Sequence, residues 1–461
     1  MAKRRGKKKA GAGRPRNKEE GASATAAPAP VLLAPLPDHL VEDIFTRLPP
    51  KSVAVSRCVS PSWNRLISSP AFGRLYHKAK AAEAASDPAR FVSVPVNPHQ
   101  HRHQRATKAW HESDVMPKDS ACVECPRVFA SAGMPCHGVV LAGRPCRGEF
   151  FVCNPSTGGV LLLPPRRPPW YFYSAGLGYD AGAGKHKAVL LERVGGLPPV
   201  PKRWEIPRLQ CNVVTVGARQ WRWRAPRGRR TPIICEGSLV SDTTDPLFAD
   251  GRLHWMLTER AADGAQGDLD GILAFVLGNE SFKRIPLPPL ALPSADHPPG
   301  YPPPLGATLA ELDGRLCLLQ DLRRRKHGVA LFDLWMLRDL TSGSWSLDRR
   351  IDLKPHVDKE LMLPLHVSVL CYVGGEIPAK SKKKILLATT MGRVYLYDQD
   401  TGELHTVAKN KGCAKQYMRL VLYQDCIVQF DGMEYGKEDI KFKLVTEESN
   451  SEPGVAFHSE V

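Results

Sequence analysis

Apolar positions along the chain follow two different periods. From Leu36 to about residue 80 they recur at three- and four-residue steps. Leu40, Val41, Ile44, Phe45 and Leu48 form one stripe, Val53, Val55, Cys58 and Val59 a second run, and Trp63, Leu66 and Ile67 a third. This spacing predicts short amphipathic helices. Pro37 suits a first helical position, Asp38, Glu42 and Asp43 sit where the helix dipole favours negative charge, and Pro49-Pro50 stops the first helix. Ser60 ahead of Pro61 makes an N-cap and N1 pair for the third. From about residue 121 to 445 the pattern changes to that of strands, short apolar or alternating runs punctuated by Gly, Pro, Asp and Asn. Residues 81–120, Ala-rich and then His-rich and polar, read as a linker. Residues 1–35 read as a flexible tail, basic and then Ala/Pro-rich, and residues 446–461 as an acidic tail.

Within the strand region one hairpin pattern recurs. An apolar strand, a Gly/Ser/Asp/Asn turn and a second strand ending in basic or proline residues are centred near Ser156, Ala218, Gly278, Ser342 and Thr401, at separations of 62, 60, 64 and 59 residues. A second element, "DGRLHWML" and "DGRLCLL", lies upstream of two of these centres, 27 and 28 residues from glycine to turn. A constant offset is what stacked units produce, each small sheet burying its faces against its neighbours and a closed ring protecting the edges. The expected fold is therefore α+β and multidomain: a small all-α module followed by an all-β propeller of about six blades, the length divided by the 40 to 50 residues of known blades.

The helical stretch is too short to hide its own apolar residues, so something else must cover them. Its residues, "LPDHLVEDIFTRLPPKSVAVSRCVSPSWNRLI" over 36–67, resemble an F-box: Leu-Pro at the start, an amphipathic helix ending in Leu-Pro, and a closing Arg-Cys-Val-Ser-x-x-Trp. The resemblance implies docking on the SKP-family adaptor of a cullin-RING ubiquitin ligase. The implied contact set is Leu36, Pro37, Leu40, Ile44, Leu48, Pro49, Val53, Val59, Trp63 and Leu66. Further along, "CHGVVLAG", "FVCNPSTGG", "GLGYDAGAGKHKAVLL", "GRLHWML", "ILAFVLGNESFKRIPLP" and "LDGRLCLLQDL" follow in the order of plant F-box-associated domains. That second resemblance implies a kelch-like or related propeller that presents a protein substrate to the ligase.

Composition and charge narrow the alternatives. The 461 residues are 43% hydrophobic and 24% charged, and no run approaches the roughly 18 to 20 apolar residues of a membrane span. The basic start has no apolar core of a signal peptide, so secretion is not expected and the twelve cysteines read as reduced thiols. Net charge is +17, and residues 1–20 carry nine Lys/Arg against Glu19 and Glu20. Lys3, Arg4, Arg5, Lys7, Lys8 and Lys9 are the nuclear-targeting candidates, with the nucleus, and also the cytoplasm, as the expected location. The same tail, with one "GRPR", defines the rival reading of a nuclear nucleic-acid-binding protein, whose binding would fall steeply with salt.

Catalytic chemistry is not expected. "GLGYDAGAGK" has Tyr179 and His186 where a phosphate loop requires Gly and Ser or Thr, and reads as a turn between strands. Cys122 and Cys125 have zinc-knuckle spacing, with Cys136, His137 and Cys146 available to complete a site, yet Cys136 and His137 fall in what reads as a buried strand. No metal or other cofactor is assigned. His99, His101, His103 and His111 read as polar linker, and Trp221 and Trp223 as one face of a sheet. An enzyme or sugar-binding propeller would instead show carboxylates or histidines clustered on one face.

Overall fold

The structure, a computed structural model, describes residues 36–86, 91–95 and 129–445, apart from 131–134, 145–148, 166–172, 195–207, 219–220, 228–237, 241–245, 261–265, 291–305, 324–330, 354–360, 362–366, 374–383, 390–392, 410–417, 423 and 436–443. Its contacts divide the chain into two compact units, residues 1–41 and 42–461. Four helices come first: α1 (Asp38–Arg47), α2 (Pro50–Ser56), α3 (Pro61–Ile67) and α4 (Pro70–Ser86). α1 starts one residue past Pro37, whose carbonyl accepts from the Leu40 and Val41 amides at 3.0 and 3.2 Å. Ser60 caps α3 by accepting from the Trp63 amide at 3.2 Å. No described helix is long and apolar enough to cross a membrane.

In the second unit the helices share a small core. Phe45 meets Trp63 edge-on at 5.0 Å and Phe72 at 6.2 Å, Val53 and Ile67 are buried, and the Tyr76 hydroxyl donates to the Leu48 carbonyl at 2.9 Å. α4 runs to Ser86, and β1 (Phe91–Pro95) follows at once, so both enter the stretch expected to be linker. The cause is alanine: "KAKAAEAAS" is polar enough to resemble a connector while having high helix propensity.

The first blade holds β2 (Phe129–Ala130), β3 (Val140–Arg144), β4 (Glu149–Asn154) and β5 (Gly159–Leu162). The second holds β6 (Tyr173–Asp180), β7 (Lys185–Val194) and β8 (Arg208–Thr215). β9 (Ser238–Val240), β10 (Leu247–Ala249), β11 (Arg252–Arg260), β12 (Gln266–Val276) and β13 (Ser281–Ile285) make the third. The fourth is β14 (Ala307–Leu312), β15 (Arg315–Asp321), β16 (Leu331–Asp339) and β17 (Ser344–Asp352). The fifth is β18 (Val367–Val373), β19 (Lys384–Thr389), β20 (Arg393–Tyr397) and β21 (Leu404–Lys409). Last come β22 (Met418–Leu422), β23 (Glu434–Tyr435) and β24 (Leu444–Val445).

Among the described residues there are thus five blades rather than about six, all antiparallel, together with a smaller sheet in which β1 pairs with β22 and β24. β3 touches β6, β6 touches β10 and β11, β10 touches β14, β14 touches β18, β18 and β19 touch β22, and β1 touches β2, which closes the ring. β23 adds a short outer strand to the first blade beside β5. Apolar side chains fill the spaces between successive sheets. Val189, Leu191 and Val213 of the second blade meet Leu253, Trp255 and Phe275 of the third, and Phe332, Leu334 and Ile351 of the fourth meet Val369, Ile385 and Leu387 of the fifth.

The repeat in the sequence maps onto hairpins. Turns near Ser156, Gly278, Ser342 and Thr401 join third to fourth strands of their blades, while the one near Ala218 is followed only by a bridge from Val213 to Arg224. Asp250-Gly251 and Asp313-Gly314 are two-residue turns joining first to second strands, with φ positive at both residues of each, the geometry that matches strand twist. His137-Gly138 of the first blade is a third turn of this form, with φ of 50° and 75° between the bridged Cys136 and Val139.

Candidate functional site: the helical face and the junction behind it

The first unit contributes Leu36, Pro37 and Leu40, all exposed, and Val41, buried. In the second unit Ile44 is 47% exposed and Val59 64%, Pro49 is exposed, and Leu48, Trp63 and Leu66 are half-buried. Val53 is fully buried, so this member of the expected contact set supports the surface from beneath and is not presented on it. Exposed Val55 and Leu75 are apolar positions that the expected set omitted. The stripe divides within each unit: in the second, Phe45 turns inward while Ile44, offset by about 100° of helical rotation, faces outward, and in the first, Val41 is buried while Leu40 is exposed. Lys3, Arg4, Arg5, Lys7, Lys8 and Lys9 lie outside the described residues.

Behind the helices the segment 424–430 joins them to the first blade. Gln424 Nε2 donates to the His77 carbonyl of α4 at 2.9 Å. Arg57, just past α2, donates through Nη1 to Gln429 Oε1 at 2.6 Å and through Nη2 to the Ile427 carbonyl at 3.0 Å. On the other side, Asn154 Nδ2 donates to the Cys426 and Val428 carbonyls at 3.3 and 2.9 Å. Ser156 Oγ donates to Asp425 Oδ1 at 2.9 Å and accepts from the Cys426 amide at 3.1 Å. Asn154 Oδ1 also accepts from the Ser156 and Thr157 amides, so "CNPSTGG" both turns its hairpin and anchors a strand of chain 270 residues away.

A cavity of about 340 Å³ opens between α4 and the inner turns, lined among others by His77, His137, Asp250, Glu311, Asp313 and Tyr372. The clustering of histidines and carboxylates that an enzyme or sugar-binding reading calls for is present here, at the end of the blades that α4 covers. Burial, with His77 alongside, lowers the His137 imidazole to about 4, and burial followed by His137 lowers His186 to about 3. Burial raises the Glu311 carboxyl. Cys122, Cys125 and Cys146, with His99, His101, His103 and His111, lie outside the described residues.

The remaining sequence candidates are structural. "GLGYDAGAGK" is the hairpin between β6 and β7. The half-buried Trp221 and Trp223 pack on the first and second blades, and Trp223 Nε1 donates to the Pro164 carbonyl at 2.8 Å. A buried ion network that periodicity could not reveal ties the second blade to the third. Lys187 Nζ donates to Glu280 Oε1 at 2.9 Å, Asp180 Oδ2 at 2.9 Å and the Leu277 carbonyl at 2.7 Å, while Arg224 clamps both Glu280 oxygens at 2.6 Å. Burial pushes the Glu280 carboxyl up, but Arg224, Lys187 and the Arg227 amide outweigh it and hold it at about 2.

Comparison with known proteins accords with this layout. Residues 84–429 match the F-box associated beta propeller domain and residues 33–75 the F-box domain. At1g47790 of Arabidopsis thaliana, named as an F-box protein, is 29% identical over 197 residues, 41% of this chain and 45% of that protein. The F-box protein At5g41490 of the same plant is 21% identical over 328 residues, 69% of this chain and 78% of that protein. The chain thus spans less than half the length of the first relative and about three quarters of the second. A levansucrase structure from Bacillus subtilis aligns over 73% of this chain at 11% identity and a TM-score of 0.29, too distant to bear on fold or function.

Proposed function

Because the chain belongs to the F-box-associated β-propeller family, with an F-box ahead of the propeller, we propose that it is the substrate-recognition subunit of an SKP-cullin-F-box ubiquitin ligase, its helical face docking on the SKP-family adaptor. F-box proteins are in general non-catalytic receptors, and the proposed work here is proximity. A target held near the charged conjugating enzyme meets its thioester as an effectively intramolecular partner. The observation that carries the reading is the division of the stripe: Ile44 stays in water while its neighbour Phe45 completes the core of the helices, and Leu40 is likewise exposed. Leaving such residues exposed on short helices is costly unless a second polypeptide covers them. A protein target is proposed to bind at the blade end away from α4, since the inner turns at the other end face the helices. Nuclear import through Lys3, Arg4, Arg5, Lys7, Lys8 and Lys9 is part of the same proposal.

The test is co-purification of the full chain with an SKP-family adaptor, comparing it with Leu40→Asp plus Ile44→Asp. A loss of adaptor of about tenfold or more is expected, since charges in the centre of an apolar interface cost several kcal/mol. Equal recovery overturns the reading.

A further inference from the structure

The inner turns of the third and fourth blades are Asp-Gly, but that of the first is His137-Gly138, preceded by Cys136. This turn is braced by a pair of backbone hydrogen bonds, Cys136 N to Val139 O at 2.9 Å and Val139 N to Cys136 O at 3.2 Å. It faces His186 at the start of β7, which is fixed in turn by pairing with Tyr179 and by the Val216 amide donating to its carbonyl at 2.9 Å. One ligand atom each from Cys136, His137 and His186 lies within 4.8 Å of the others. His186 is buried, hydrogen-bonds the backbone of Cys136, and leaves Nε2 buried with no hydrogen-bond partner among the described residues. An imidazole with one nitrogen oriented by a carbonyl and the other bare is the arrangement of a metal-ligating histidine, its tautomer set by the outer hydrogen bond.

We propose that Cys136, His137 and His186 form a zinc site that staples the first blade to the second at the end covered by α4. One thiol and two imidazoles make a borderline-soft donor set, which suits zinc and not the hard cations that take oxygen. Bond lengths of about 2.0 to 2.3 Å place tetrahedral donors roughly 3.3 to 3.7 Å apart, so the three side chains close by about 1 Å. Binding breaks the Cys136 S–H bond, the thiolate joins the metal and the proton leaves to solvent. His77, its ring centroid 5.0 Å from that of His137, is the candidate for the fourth ligand across the cavity. The set differs from the spacing visible in the sequence, because His186 arrives from another blade and shares no motif with Cys136. It stands independently of the ligase reading.

The experiment is metal analysis of the full chain, purified without a metal-binding tag in zinc-supplemented buffer and then freed of loosely held metal. About one zinc per chain is expected, with Cys136→Ser and His186→Gln each lowering the content about tenfold or more, and Cys317→Ser, a buried thiol of the fourth blade, retaining it. Replacement by Co²⁺ needs no variant and covers the case in which one fails to fold: a thiolate-to-cobalt absorption band is expected in the wild type. Zinc well below one equivalent, absence of that band, or full zinc in both folded variants, which would assign it to the histidine-rich stretch before the propeller, overturns the proposal.

Discussion

Arg57 reaches Gln429 across 372 positions of chain, donating from Nη1 to its side-chain carbonyl at 2.6 Å. A residue at the end of an F-box helix is thereby tied to the segment that the first blade also grips, so the orientation of the helices is coupled to the sheets. Arg57→Ala removes this bond and the one to Ile427, and should cost about 1 to 3 kcal/mol, the range for hydrogen bonds from a charged donor. Denaturant unfolding measures it. Hydrogen exchange should show the loosening concentrated in residues 424–430.

The divided stripe of α1 separates two kinds of substitution. Phe45→Ala empties the space between Trp63 and Phe72 and should destabilise the protein by about 3 to 5 kcal/mol. Leu40→Asp with Ile44→Asp should leave the melting temperature of the isolated chain nearly unchanged, within about 0.5 kcal/mol for each exposed site. Thermal melts of both variants make the comparison.

Glu280, itself buried, holds two cations, the buried Lys187 and the partly exposed Arg224. Glu280→Ala takes one of two carboxylates from the buried Lys187, leaving it Asp180 and the Leu277 carbonyl, and should cost about 1.5 to 3 kcal/mol. The same carboxylate gives a pH signature. Held at about 2 against an ordinary 4.5, it contributes stability that is present above pH 4.5 and lost as the pH falls towards 2. Denaturation midpoints from pH 5 to 3 should fall less steeply in a Glu280→Gln variant.

Acid should act through the buried histidines, His254 among them. Burial lowers its imidazole from 6.5 to about 3, so below pH 6.5 the unfolded chain takes up a proton that the folded chain refuses. Stability should fall by up to about 1.4 kcal/mol per pH unit from this group, starting near pH 6.5. His254→Gln should remove that share of the slope, read from urea unfolding between pH 7 and 5.

Two turn glycines test how crowded the junction is. Gly251 has φ of 68° with no described residue within 4 Å of an added Cβ, so Gly251→Ala should cost about 1 to 2 kcal/mol for the left-handed backbone alone. At Gly138, φ is 75° and an added Cβ would stand 2.5 Å from Cys426 Cβ and 2.6 Å from the Gln424 carbonyl. Gly138→Ala should cost distinctly more, because segment 424–430 must move as well. Parallel unfolding curves decide the difference.

Much of this fold was legible along the chain because it depends on local patterns. Ser60-Pro61 marks a helix start, Asp-Gly pairs mark tight hairpins, and hairpins recurring about every 60 residues mark stacked blades. What was not legible depends on partners distant in sequence. β1 resembles linker because its pairing strand is β22, more than 300 residues on, and Val53 resembles its exposed neighbours until the helices fold around it. Asn154 and Ser156 read only as turn residues, since nothing beside them indicates that they also hold Asp425 and Cys426. The expected blade count came out high because length alone does not distinguish blade residues from the connections between them.

The pairing of β1 with β22 and β24 has a consequence for synthesis. A ribosome emits β1 long before the strands that will satisfy its hydrogen bonds, so until β22 and β24 emerge the nascent chain carries an unsatisfied β edge that invites aggregation or a chaperone. A premature stop anywhere upstream of Met418 would release a polypeptide that cannot close its own circle, however well its helices and early blades had folded.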